Sequence, residues 1–102
     1  MKSTITGLYS AIIAFIALLT GHASAAVFPV TDSGDTITVG TLRWAILSAN
    51  TSPAPDTISF NLAAPYIIRP TSQLPALTNA GTAIDGTTQP GYSDTPLVRL
   101  YG

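Results

Sequence analysis

The chain has 102 residues, enough for one domain and too few for two. Four Lys+Arg against five Asp+Glu give a formal charge of −1, a near balance that argues against a nucleic-acid binder, which needs a basic face. There is no cysteine and a single histidine, His22, so a disulfide framework and a Cys-based metal site are excluded.

The chain opens with Lys2 and a largely apolar stretch from Leu8 to Leu19, followed by Ala23-Ser24-Ala25. A positive start, an apolar centre and a small-x-small end predict a secretory signal peptide over residues 1–25, cleaved after Ala25. A bilayer crossing needs about 20 apolar residues, and the unbroken run from Ala11 to Leu19 is about half that. Histidine catalysis and a histidine metal site leave with this segment. The mature chain, residues 26–102, is therefore expected to be secreted or held at the cell surface. It carries three arginines (Arg43, Arg69, Arg99), five aspartates and all eight prolines. A domain so small, with few charges, many breakers and no staple, is expected to be the start of a larger fold.

Within the mature part, Ala26–Val30 is a strand candidate, Asp32–Asp35 a turn, and Thr36–Val39 a second short strand. Thr41 is placed to cap a helix, because its hydroxyl can accept a first-turn amide. Leu42, Ala45, Ile46 and Ala49 then fall at i, i+3, i+4 and i+7, an apolar stripe on one helical face. Ser52-Pro53 and Ala54-Pro55 stop that helix near Asn50. Trp44 and Leu47 lie on its other side, so the helix is expected between two surfaces, one of them the strand around Phe28. Short β-segments follow at Thr57–Asn61, Tyr66–Arg69, Gln73–Leu77, Thr82–Asp85 and Leu97–Tyr101. Pro75 weakens the third of these by removing a ladder donor. The pattern is mostly β, and sandwich, barrel and solenoid all fit it.

Three stretches resemble a known family. Residues 40–50, Gly-Thr-Leu-Arg-Trp-Ala-Ile-Leu-Ser-Ala-Asn, are similar to the Ser-Leu-Arg-x-Ala-Ile-x-x-Ala-Asn helix near the start of bacterial secreted right-handed parallel β-helix proteins, including the CSLREA type. Asp56-Thr57-Ile58-Ser59-Phe60-Asn61 resembles their Asp-Thr-Ile-x-Phe-Asn strand. Ile84-Asp85-Gly86-Thr87-Thr88-Gln89-Pro90-Gly91-Tyr92 resembles their Ile-Asp-Gly-Thr-Thr-Gln-Pro-Gly-Tyr block. Gly40 and Thr41 stand in place of the family's Cys, and Trp44 where Glu is common. The resemblance implies the start of a right-handed parallel β-helix of pectin-lyase-like fold, with an N-terminal amphipathic capping helix. Thr41, Leu42, Arg43, Ala45, Ile46 and Ala49 would form the cap. The missing partners would be downstream β-helix coils, the present chain being an N-terminal piece. Burying three or four apolar side chains against the first coil contributes on the order of 5 kcal/mol before entropy is subtracted.

Asp85 and Asp94 are the candidate carboxylate pair, and paired carboxylates serve sugar hydrolysis. Both also sit in turn sequences, where an Asp side chain binds nearby amides. Asp85, Tyr92 and Asp94 are kept as candidate ligand-binding residues, and no catalytic residue is assigned. Asp32, Asp35 and Asp85 fit no calcium-loop pattern, so no metal and no cofactor is expected. Arg43 is expected to pair with Asp56 or another acid, or with loop carbonyls. Trp44, Tyr66, Tyr92 and Tyr101 serve either packing or sugar stacking. Asn50-Thr51-Ser52 matches a glycosylation sequon. The leading expectation is a non-catalytic capping and display region of a surface or secreted protein, with surface glycans or cell-surface proteins as partners. The alternatives are the start of a polysaccharide lyase or hydrolase, and a carbohydrate-binding module.

Overall fold

The computed structural model describes residues 25–102. The signal-peptide reading, with His22, lies outside the described residues apart from Ala25. The elements run β1 (Val27–Val30), α1 (Leu42–Thr51), β2 (Thr57–Phe60), β3 (Ile67–Ile68), β4 (Ala83–Ile84), a 3-10 turn (Gly86–Thr88) and β5 (Arg99–Leu100).

The strands form two sheets, ordered β1-β2-β4 and β3-β5, and each pair is parallel. Parallel neighbours require a long excursion between them, and α1 fills the one between β1 and β2. Register stacks like on like. Phe28 lies beside Ile58 and Ile58 beside Ile84, Val30 lies beside Phe60, and Ile68 lies beside Leu100. Period-2 alternation turns Ile58 and Phe60 inward, where both are buried. One core joins Val30, Leu42, Ala45, Ile46, Ala49, Ile58, Phe60, Leu62 and Ile68. Trp44 meets Phe28 edge-on, with ring centroids 5.8 Å apart. Leu47 on the same helical flank is exposed, so only part of that face is covered.

Two expected strands do not form. Thr36–Val39 is a loop whose Ile37 and Val39 are exposed. No neighbouring strand offers it a ladder. Its carbonyls at Thr36 and Thr38 instead lie 2.6 and 3.1 Å from the Thr41 hydroxyl. Gln73–Leu77 also stays outside the sheets. Pro75 cannot donate, and the carbonyls of Ser72, Gln73 and Ala76 are taken by side chains of α1. The other β-segments form but shrink at their ends.

Gly40 has a structural reason to be glycine. Its φ of +100 is strained for other residues, and an added Cβ would sit 2.7 Å from the Thr31 hydroxyl oxygen. Its carbonyl accepts the amides of Thr31 and Asp32, which turns the chain from β1 toward the helix.

Candidate functional site

Most residues singled out by the sequence fall at two places, the helix beside β1 and the turn after β4. Thr41 is fully buried, and its hydroxyl accepts the Trp44 amide at 3.1 Å, closing the first turn of α1. Leu42, Ala45, Ile46 and Ala49 are buried on the core side. At the other end of α1 the Asn79 amide group lies 3.2, 2.9 and 2.7 Å from the carbonyls of Ala49, Ser52 and Ala54. It joins the Ser52 amide at the Ala49 carbonyl and also engages the carbonyls of Ser52 and Ala54 just beyond the helix. Asn50 is likewise engaged: its Nδ2 donates to the Ala76 carbonyl and its Oδ1 accepts the Thr78 amide. A glycan on that nitrogen would compete with the bond to Ala76.

Arg43 pairs with Asp35, not with Asp56. The Arg43 Nη2–Asp35 Oδ2 distance is 2.9 Å, and Nε lies 3.3 Å from Oδ1. The reason is position: Asp35 is in the loop that feeds the helix, whereas Asp56 precedes β2 and faces β1. Arg43 also donates to the carbonyls of Ser72 and Gln73, and Asp35 accepts the amide and hydroxyl of Thr71. One ion pair thus ties the entry loop, the helix and the segment after β3 together. The Arg43 guanidinium and then the Thr71 amide hold the Asp35 carboxyl at a pKa of about 2, below its ordinary 3.8.

The turn after β4 is built from the quoted block. Asp85 Oδ1 accepts the amide and hydroxyl of Thr87, capping the 3-10 turn. The chain then leaves the ladder, and side chains continue it. Phe60 donates its amide to the Thr88 hydroxyl at 2.8 Å. Gln89 is 2% exposed; its Oε1 accepts the Leu62 amide and its Nε2 donates to the Leu62 carbonyl. The Gln89 amide group replaces one peptide unit of an absent strand.

Asp94 sits apart in an exposed turn, with φ of +64. Tyr92 lines a shallow cavity of about 150 Å³ with Gly86, Thr87, Pro96, Leu97 and Val98; neither Asp85 nor Asp94 is on that wall. The other aromatic candidates contact protein. Trp44 meets Phe28, Tyr66 packs against the core, and the Arg69 guanidinium lies 4.9 Å from the Tyr101 ring centroid. Among the described residues no group of three His, Cys, Asp or Glu is placed to hold a metal, and no helix is long and apolar enough to cross a membrane.

The two edges of the larger sheet differ. The Ala26 and Val30 carbonyls accept from Thr57 and Asn61, so residues 26, 28 and 30 face β2 while 27 and 29 face outward. The outward position at 29 is a proline, which has no amide to offer. At the opposite edge, Ala83 and Asp85 donate to β2, which leaves the Ile84 N–H and C=O facing away. Leu100 is placed likewise, since Arg99 and Tyr101 donate to the carbonyls of Tyr66 and Ile68. Side chains follow the backbone: Ile84 is 45% exposed and Leu100 54%.

Asp35, Asn79 and Gln89 carry more of these contacts than the sequence reading allotted them. Gln89 lay inside the block already singled out. Asn79 has no local signal, because its partners are 25 to 30 residues away; Asp35 lies eight residues before Arg43, but its second partner, Thr71, is 36 residues on. Comparison with known protein families, with curated proteins and with solved structures finds no match for this chain.

Proposed function

We propose that this chain is the exported, non-catalytic capping and display region at the start of a right-handed parallel β-solenoid. The observation that supports it best is the asymmetry of its ladder. At the β1 edge Pro29 removes one outward donor and α1 packs beside the strand, with Val27 exposed; β4, and β5 in the second sheet, leave Ile84 and Leu100 with outward-facing backbone and half-open side chains. A further coil laid on β4 and β5 would bury both. The block resembling the Ile-Asp-Gly-Thr-Thr-Gln-Pro-Gly-Tyr motif is then a device for ending one side of a coil, not a ligand site. The signal-peptide pattern of residues 1–25 and the resemblance support secretion or surface exposure, with glycans or cell-surface proteins as partners.

Hydrogen exchange on the exported chain tests the architecture. Amides of Ile58 and Ile46 should be protected, and those of Ile84 and Leu100 should exchange freely in the monomer. Protection of Ile84 equal to that of Ile58 in the monomer would overturn it. A screen on pectate, polygalacturonate and related glycans tests the absence of turnover. Reproducible cleavage lost in Asp85→Ala would replace this reading with an enzymatic one. Glycan binding lost in Tyr92→Ala would replace it with a carbohydrate-binding one.

A further inference from the structure

Asp56 is 3% exposed and pairs with no arginine; the ion pair among the described residues is Arg43–Asp35. Its Oδ1 accepts the backbone N–H of Ala26 at 2.8 Å. Its Oδ2 is buried and has no partner among the described residues. Both ends of this contact are held in place. The Ala26 carbonyl accepts the Thr57 amide at 3.0 Å. Asp56 donates its amide to the Thr82 hydroxyl and accepts the Ala83 amide at its carbonyl. A carboxylate with one satisfied oxygen and one orphan, rigidly aimed at a backbone nitrogen, lacks a donor and a positive charge.

Ala26 is also the residue that leader removal would make first. We propose that Asp56 is the receptor for a free α-amino terminus at Ala26, an inference that rests on the export reading above. Hydrolysis of the Ala25–Ala26 bond adds one water. The carboxylate stays on Ala25 and departs with the leader, and the Ala26 nitrogen becomes an amine that takes up a proton. One amide hydrogen is thereby replaced by three ammonium hydrogens and a unit charge. Oδ1 keeps its partner, Oδ2 gains one, and the buried carboxylate is neutralised. Processing at this bond locks β1 onto β2, while an unprocessed or differently processed chain keeps the orphan oxygen.

The test uses a simplification in the sequence: Lys2 is the only lysine, so a product beginning at Ala26 has one amine. The full chain is exported from a bacterial host and the product's mass gives its first residue. The product is then treated with an amine-acylating reagent at neutral pH, folded and in concentrated urea. A product beginning at Ala26 should label about tenfold or more slowly when folded, because the amine must leave a buried ion pair to react. Asp56→Asn should bring the folded rate close to the urea rate. Equal rates for folded and unfolded wild type, a comparison that needs no variant, would overturn the proposal. Asp56→Asn labelling as slowly as wild type would do the same. A product starting at another residue would overturn the cleavage position, while the hydrogen-exchange test of the solenoid would stand independently.

Discussion

The two edges of the β1-β2-β4 sheet differ in what packs beside them: α1 lies against β1, and no helix among the described residues lies against β4. Ile46 in α1 is buried against the core, whereas Ile84 at the far edge is 45% exposed, although both are isoleucines in regular structure. At the β1 edge the chain removes a donor with Pro29 and flanks the strand with a helix. At the β4 edge it leaves a template. An exposed edge is a liability that proteins usually blunt. Among the described residues only the β1 edge of this sheet has a flanking helix and a proline.

The largest effect is expected at the helix. Ile46→Asp places a carboxylate among Val30, Ile58 and Phe60 with no partner, and should cost more than about 4 kcal/mol. Soluble exported yield should collapse; Ile46→Val, which keeps shape and polarity, should cost about 0.5–1.5 kcal/mol by thermal melting. Near-native melting of Ile46→Asp would show that this face of α1 does not hold the fold.

Gln89→Leu comes next. It keeps apolar bulk but strips both partners from the buried Leu62 peptide groups. Two orphaned backbone groups should cost about 2–4 kcal/mol in denaturant titration. A neutral result would mean that water replaces the amide, and that the ladder is not continued by this side chain.

The Arg43–Asp35 clamp should show itself in acid. The folded-state pKa of Asp35 is about 2 against an ordinary 3.8, so the unfolded chain binds the proton more readily. Its contribution is present in full above about pH 4 and is lost as pH falls toward 2. Melting temperatures across that range should converge with those of Asp35→Asn, which lacks the charge throughout. Parallel curves with no convergence would show that the clamp contributes nothing through ionisation.

Local chemistry was easier to read from the sequence than pairing. Thr41 and the stripe from Leu42 to Ala49 act within one helix, so spacing alone exposes them. Ile58 and Phe60 alternate within one strand for the same reason. Asn79 and Gln89 act across 25 and 27 residues, and Asp35 across eight to Arg43 and 36 to Thr71, and no periodic pattern in the chain marks these partners. Thr36–Val39 alternates like a strand but lacks a neighbouring strand, and alternation without an edge to join does not make a ladder. Arg43 was expected to find an acid and does. Which acid depends on a loop that comes back across the start of the helix.

The smallest expected effect is the most discriminating. Ile84→Asp makes the same chemical change as Ile46→Asp at the other edge of the ladder. Ile84 is half exposed and its backbone has no outward partner, so the carboxylate stays hydrated and the change in melting should lie within about 0.5 kcal/mol. The effect should appear in association instead. Strand edges with free N–H and C=O groups and half-open apolar side chains, Ile84 on β4 and Leu100 on β5, favour self-association at raised concentration, and a charge at the β4 edge opposes it. Sedimentation at increasing concentration should therefore show wild type forming larger species while Ile84→Asp stays monomeric. If Ile84→Asp melts as early as Ile46→Asp, then Ile84 is core in the isolated chain and the two edges are not different.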